Sequence, residues 1–418
     1  MERSSMRISL TTLGCKVNQA ETATLQGAIE EAGYEIVPFN EKADIYIINT
    51  CTVTSKSDYQ SRQLIRRAIQ RGGRVFVTGC YAELKLDEIM GIEGVERVFK
   101  NTEKMDILRA IPNTSIENIH TCYSSPRSRA FLKIQDGCDA FCAYCTVPFA
   151  RGRSRSLPFN KAIEAIDSMV NKGYGEVVFS GVHIGRYGKD LPVETSLINL
   201  VEAAAIKYPM VRFRLSSIEA DEFNRGFIRL IEDGKLCPHL HFPLQSGSDE
   251  LLKAMNRRAK VSDFKEAVME VYRAVHDVSI GTDVIVGLPG ESDRDFRKTY
   301  ELLSSLPISY IHVFPYSPRP LTEAAKMKNQ VPNQIKKERA AALRRLSKEK
   351  ERAFLNAFIG KIVDVIVENK YDDSGHYLKG TTENYLKVLV KNNLKRPMRR
   401  VRARVKGFID NTAICELI

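Results

Sequence analysis

No stretch of this sequence approaches the roughly 18 consecutive apolar residues that a membrane span requires, so no membrane is expected as a partner. The opening residues, MERSSMRISLTTLG, lack a continuous apolar core, which argues against a secretory leader and makes the cytoplasm the expected compartment. There is no internal repeat and no tract of low complexity. Histidine is scarce: seven residues, none at metal-ligand spacing. His239 and His241 alternate along a strand-like run and read as half-buried sheet residues. The nine cysteines are poorly explained as a disulfide framework in a reducing compartment. Where they cluster, metal ligation is the better reading.

What is present fits an ordinary globular chain. Its 418 residues imply about three domains, at roughly 150 residues each. A hydrophobic content of 43% beside 27% charged residues is enough for a sizeable core. The net charge of +12 is placed unevenly. Residues 336–418 carry a net +10 and the other 335 only +2, so a polyanion is the expected partner of the C-terminal fifth.

The first ~120 residues alternate β-branched runs (7–13, 44–50, 74–79) with helical patterns (21–33, 57–72), which predicts a parallel sheet with helices on its faces. A second series of strand-like runs follows at 130–135, 176–181, 211–217, 239–245, 279–287 and 310–317. Six βα units predict an open partial (β/α)6 barrel, with functional residues at the C-terminal strand ends. Residues 334–358 read as one long basic helix. Short alternating runs between 361 and 418 then predict a small antiparallel β-barrel. The expected domains are 6–120, 124–354 and 355–418.

The sharpest local signal is DGCDAFCAYC at 136–145, where Cys138, Cys142 and Cys145 form C-x3-C-x2-C directly after a predicted strand. A 4Fe–4S cluster normally takes four thiolates. Three ligands with no fourth nearby leave one iron open. A zinc site would normally supply its fourth ligand in cis, and three buried structural cysteines are the remaining alternative. With Tyr144 before the last cysteine, the spacing resembles the signature of radical S-adenosyl-L-methionine (SAM) enzymes. That resemblance implies that the open iron chelates SAM and that one electron then cleaves it to methionine and a 5′-deoxyadenosyl radical. By analogy with that superfamily, Gly181, Ser216, Ser217, Glu219, Gln245, Ser246 and Gly287, all at strand ends, are expected to contact SAM.

Cys15, Cys51 and Cys80 each follow one of the three N-terminal strands, in LTTLGC, IINTC and VTGC. Parallel strands end on one edge of their sheet, so these three thiols can converge there. Small buried core cysteines are the plainer alternative. Cys122, Cys237 and Cys415 belong to neither trio and read as structural.

Together the trios resemble the methylthiotransferase family of radical SAM enzymes. LGCKVNQAE, NTCTV, GCDAFCAYCTVPFARGRSRS, SGVHIGRYG, RLSSIE, HFPLQSGSDELLKAMNRR, DVIVGLPGE and FPYSPRP carry the likeness across essentially the whole chain. It implies two 4Fe–4S clusters, the second held by Cys15, Cys51 and Cys80 and presenting sulfur. One SAM would methylate that sulfur, and a second would generate the radical that takes hydrogen from a substrate carbon, which captures the methylthio group. The basic C-terminal barrel fits the family's RNA-binding TRAM module. One departure is Leu321, where the family usually has a small residue, often glycine.

Family members act on an adenosine beside the tRNA anticodon or on a ribosomal-protein aspartate. TVPFARGRSRS with SGVHIGRYG is most similar to the branch acting on N6-threonylcarbamoyladenosine. Isopentenyladenosine is the second expectation, the ribosomal aspartate the third. A non-catalytic RNA-binding iron–sulfur redox sensor is the alternative of another class. The partners expected are the tRNA anticodon stem-loop and an external low-potential electron donor, with the chain a monomer. Arg151, Arg153 and Arg155 are expected to grip SAM carboxylate or RNA phosphate, or else to form a solvated loop. Lys395, Arg396, Arg399, Arg400, Arg402 and Arg404 are expected to supply phosphate contacts.

Overall fold

The computed structural model describes residues 6–391 and 400–418. Its first unit is a five-stranded, fully parallel sheet. The spatial order is Glu35–Ile36, Arg7–Thr12, Ile45–Thr50, Arg74–Gly79 and Arg97–Phe99. Successive residues of the central strands point to opposite faces, and both faces are covered. Ile45, Ile47 and Phe76 pack under Leu25 and Ile29, whereas Tyr46, Ile48, Val75 and Val77 pack under Ile65 and Ala68. The two short edge strands were not among the predicted runs.

The six predicted strands of the second unit are present as Arg129–Lys133, Glu176–Ser180, Arg212–Leu215, His239–His241, Ser279–Val286 and Tyr310–Pro315. They form two parallel three-stranded sheets, with Arg212–Leu215 beside His239–His241 at the junction. All their C-terminal ends face one mouth, as a partial barrel requires. The helix Asn333–Asn356 packs along Tyr310–Pro315 and covers that free edge, where Ile311 donates its backbone N–H to Ser347 Oγ at 2.9 Å. Part of its basic character is used internally: Lys336 and Arg339 are buried, and Arg339 pairs with Glu291 at 2.5 Å, while Lys337, Arg344, Arg345, Lys348 and Arg352 stay exposed. The long basic helix expected over 334–358 is thus present.

The third unit is a closed five-stranded barrel over a core of Val363, Val365, Leu378, Val388, Val401, Ala403, Val405 and Cys415. Its ladders are antiparallel except that Lys387–Lys391 pairs parallel with Thr412–Leu417. It docks onto the N-terminal ends of the partial-barrel strands. Arg212 and Arg214 both pair with the buried Glu176 and donate onward to the carbonyls of Thr381, Thr382 and Glu383. Tyr385 inserts beside them, its ring 4.3 Å from that of His239. Arg400 bonds Asp364 and the Met210 carbonyl, so it belongs to this contact and is removed from the expected RNA-facing set. Lys395, Arg396 and Arg399 lie outside the described residues. Among the described residues no helix is long and apolar enough to cross a membrane.

Candidate functional site

The three N-terminal strand ends meet because two glycines let their backbones approach. Gly14 has φ +98°, and a Cβ there would lie 2.8 Å from Cys51 Sγ; Gly79, at φ +102°, would place one 2.3 Å from the Thr50 carbonyl. Cys15 caps the helix Lys16–Glu31, Cys51 follows Ile45–Thr50, and Cys80 opens the helix Cys80–Leu84. Burial pushes the Cys51 thiol up to about 11, and the neighbouring Cys80 and Cys15 add to the shift. Burial likewise raises Cys80, against the cations Arg151 and Lys104.

The trio of Cys138, Cys142 and Cys145 lies in the loop after Arg129–Lys133. Gly137, at φ +71°, presses against the Arg153 carbonyl, and Cys138 N–H bonds the Gly152 carbonyl at 3.0 Å. Burial is the main cause lifting Cys145, to about 12, with Cys142 and Cys138 adding to it. Cys51, Cys80, Cys142 and Cys145 are desolvated thiols, a setting that suits metal ligation, in which the cation deprotonates the sulfur. The donor sets of both trios therefore fit iron–sulfur ligation.

A cavity of about 230 Å³ opens beside Cys138, Cys142 and Cys145. Of the residues expected at SAM, Tyr144, Ser217, Glu219 and Gln245 line it. Gly181, Ser216, Ser246 and Gly287 do not. Ser246 is buried behind the wall and accepts from Ser248 N–H, Gly287 abuts Lys336, and Gly181 lies against Gln135 and Ile184. Ser216 Oγ is buried without a partner among the described residues.

Sequence reasoning missed two residues here. Arg257 grips Glu219 through two parallel bonds of 3.0 and 2.5 Å and lines the cavity near Cys142. His183 Nδ1 stands 3.6 Å from Cys138 Sγ while its Nε2 meets Glu222 at 3.0 Å. Burial opposes charging His183, yet Cys138 and Glu222 outweigh it and lift the imidazole to about 9. Both residues stand in motifs already singled out, MNRR and SGVHIG, but neither spacing marks a role.

Arg151 overturns its expectation. It is buried, bonding Glu21 and Asp136 at 2.9 Å each and Asn18 at 2.5 Å. It therefore ties the helix after Cys15 to the loop carrying Cys138, Cys142 and Cys145. Lys104 and Lys133 complete the cluster around Glu21. Burial alone would raise the Glu21 carboxyl, but the three cations hold it well below its usual range. Arg153 and Arg155 remain at the surface, paired with Asp139 and Asp136. Cys122, Cys237 and Cys415 are buried away from both trios.

The histidines also hold a constellation that spacing did not reveal. His241 and His312 converge on one oxygen of Asp283, at 3.0 and 3.1 Å, and Tyr310 Oη links His241 to His239. His239 and His241 are buried, not half-buried.

With the geometry in hand, comparison with known proteins is decisive. Residues 7–100 match Uncharacterized protein family UPF0004, and residues 132–303 match the Radical SAM superfamily. The threonylcarbamoyladenosine tRNA methylthiotransferase MtaB of Aquifex aeolicus is 37% identical, over 92% of this chain and 96% of its own. The enzyme of the same name from Bacillus subtilis is 37% identical, over 92% and 90%. Among solved structures, the radical SAM methyltransferase TsrM of Kitasatospora setae shares the fold, with a TM-score of 0.56 at 13% identity over 77% of each chain. The chain thus belongs to the radical SAM methylthiotransferase family, as an enzyme of the MtaB type.

Proposed function

We propose that the protein inserts a methylthio group at carbon 2 of N6-threonylcarbamoyladenosine beside the anticodon of tRNA. The observation that carries this reading is that the cavity lined by Cys138, Cys142 and Cys145 adjoins one whose wall includes Val53 and Thr54, just beyond Cys51, in a chain whose relatives bear that activity by name. Cys138, Cys142 and Cys145 would hold one 4Fe–4S cluster with an iron left for SAM, and Cys15, Cys51 and Cys80 the other. When bound, the clusters and SAM supply one-electron cleavage and the transferable sulfur. The chain's own residues do the positioning. Glu219 and Arg257 fix one wall of the SAM cavity, and Tyr144 closes it beside Cys145. The clamp of Arg151 on Glu21 and Asp136 keeps the trios in register.

The working units are 6–120, which carries the second cluster, 124–354, the radical SAM core, and 355–418, the RNA-binding barrel. The protein works as a cytoplasmic monomer, off the membrane, with an external low-potential electron donor and the tRNA anticodon stem-loop as partners. Two measurements test the reading. Nucleoside mass spectrometry of tRNA from a deletion strain should show loss of the methylthio form, restored by this gene. Reconstituted protein should hold about eight irons, falling to about four when either trio is replaced by alanine. Replacing Cys15, Cys51 and Cys80 should leave reductive SAM cleavage intact and abolish transfer. Full iron retention in that variant would defeat the assignment of the second cluster.

A further inference from the structure

Three neighbouring parallel strands bring two imidazoles and a carboxylate to one point inside the partial barrel. Register places His241, Gly281 and Tyr310 in one row across the strands, and Asp283 beside His312 in the next row on the same face. Leu240, Ile280 and Val284 take the opposite face, in the apolar core. His241 Nε2 and His312 Nδ1 then stand 3.0 and 3.1 Å from the same oxygen of Asp283, and the three donor atoms lie within 4.8 Å of one another. Imidazole nitrogens and carboxylate oxygens bind zinc at about 2.0–2.2 Å, which puts neighbouring ligand atoms about 2.9–3.4 Å apart. Both contacts to Asp283 already have that spacing, and they are built on strands rather than loops.

A metal-bound histidine normally engages a partner through its other ring nitrogen, which fixes the ring and leaves the ligating nitrogen its lone pair. Tyr310 Oη fills this role for His241, 3.1 Å from Nδ1, and is itself held by His239 Nε2 at 2.8 Å. Gly281 makes the arrangement possible. A Cβ there would lie 2.1 Å from Tyr310 Cζ, so the ring can cross the strand only where no side chain stands. The cluster also has a way in. The side chain of His241 is 9% exposed, but that of His312 is 55% exposed. As one half of a plain ion pair, so exposed a histidine would contribute little. As a ligand, it is the side from which a hydrated ion arrives.

We propose that His241, Asp283 and His312 bind one divalent first-row transition-metal ion, distinct from the clusters of the two thiol trios, with Tyr310 as the positioning residue for His241. Neutral imidazoles with a carboxylate suit zinc, iron(II) and their neighbours, and of these two zinc binds the tighter, so zinc is the deciding probe. Three protein ligands leave at least one coordination position free. Asp283 lines both the cavity beside Cys138, Cys142 and Cys145 and the adjoining one, so the ion would fix a side chain common to the two. The site does not depend on which adenosine the enzyme modifies.

The test adds zinc alone to cluster-loaded protein, removes the excess by gel filtration, and counts zinc and iron per chain by plasma mass spectrometry. Wild type should retain about one zinc beside an unchanged iron content of about eight. X-ray absorption at the zinc edge should show imidazole nitrogen and oxygen, without sulfur at about 2.3 Å. His312→Gln, a change at an exposed side chain, should lose the zinc and keep the iron. Tyr310→Phe keeps the ring and should weaken zinc binding about 10–100-fold, measured by competition with a fluorescent chelator. An unchanged affinity in that variant would overturn the part given to Tyr310. Wild type that retains no zinc would overturn the site and leave a hydrogen-bonded triad. Zinc held by sulfur, or zinc content unchanged in His312→Gln, would overturn it by placing the ion elsewhere.

Discussion

The guanidinium of Arg319 lies 2.6 Å from the carboxylate of Asp58, and the same nitrogen reaches Thr52 Oγ1 at 2.7 Å. Arg319 belongs to the loop after Tyr310–Pro315, and Thr52 directly follows Cys51. The pair therefore fastens the trio of Cys15, Cys51 and Cys80 to the mouth of the partial barrel, and it is buried on both sides. Removing one partner of a buried ion pair costs about 3–5 kcal/mol, because the other charge is left uncompensated.

Asp58→Asn, which keeps the shape of the side chain, should therefore uncouple the two halves of the reaction. Misplacing reacting groups by about 1 Å can cost on the order of a hundredfold in rate. Methylthio product formed per 5′-deoxyadenosine released should fall about tenfold or more, with iron content unchanged. An unaltered ratio would show that Arg319 and Asp58 contribute only to stability.

Leu321 supplies a prediction of the opposite sign. It stands in the left-handed region at φ +73°, 53% exposed. A side chain there costs roughly 1–2 kcal/mol, partly offset by the extra freedom glycine gains on unfolding. Leu321→Gly should stabilise the protein by about 0.5–1 kcal/mol, read as a higher urea midpoint with an unchanged slope.

The resemblance to the family singled out Leu321 in the sequence, just as C-x3-C-x2-C spacing marked Cys138, Cys142 and Cys145 and strand-end position marked Cys15, Cys51 and Cys80. Other parts of the site were hidden for definite reasons. Glu21 meets Lys104 and Arg151 across 83 and 130 residues, so no local pattern relates them. Arg212 and Arg214 dock the C-terminal barrel largely through backbone carbonyls, which every residue possesses. Edge strands of two and three residues are too short to show a period. His241, His312 and Asp283 come from three neighbouring strands, and only sheet register brings them together.

Glu176 gives the docking of the barrel a pH signature. Burial would raise its carboxyl, but Arg214 and Arg212 outweigh that and hold it at about 2, against about 4.3 for an ordinary glutamate. A depressed folded value means the stabilisation is complete above the unfolded value and is lost as pH falls towards the folded one. Its size is on the order of 3 kcal/mol. Glu176→Gln should be less stable than wild type by about that amount at pH 6, and the gap should close between about pH 5 and pH 2. A gap independent of pH, measured by urea unfolding, would place the cost in packing.

The same docking determines how the RNA contact must be tested. Deleting residues 355–418 would strip Glu176, Arg212, Arg214 and His239 of their cover, so weakened tRNA binding after truncation would not identify a contact surface. Point changes on the barrel's outer face are cleaner. Along Arg400–Ile409, Val401, Ala403 and Val405 point inward while Arg402, Arg404 and Lys406 point to solvent, a basic row at strand spacing. Lys406 is already paired with Glu416, which leaves Arg402 and Arg404 as the cations to change. Each phosphate that a bound cation no longer neutralises should flatten the plot of log affinity against log salt by about 0.7–0.9. Arg402→Gln with Arg404→Gln should thus lower the slope for tRNA by about 1.5 and reduce low-salt affinity about tenfold, without changing SAM cleavage or the pH signature of Glu176. An unchanged slope would move the RNA contact off this face, because a solvent-facing cation that neutralises no phosphate leaves counterion release untouched.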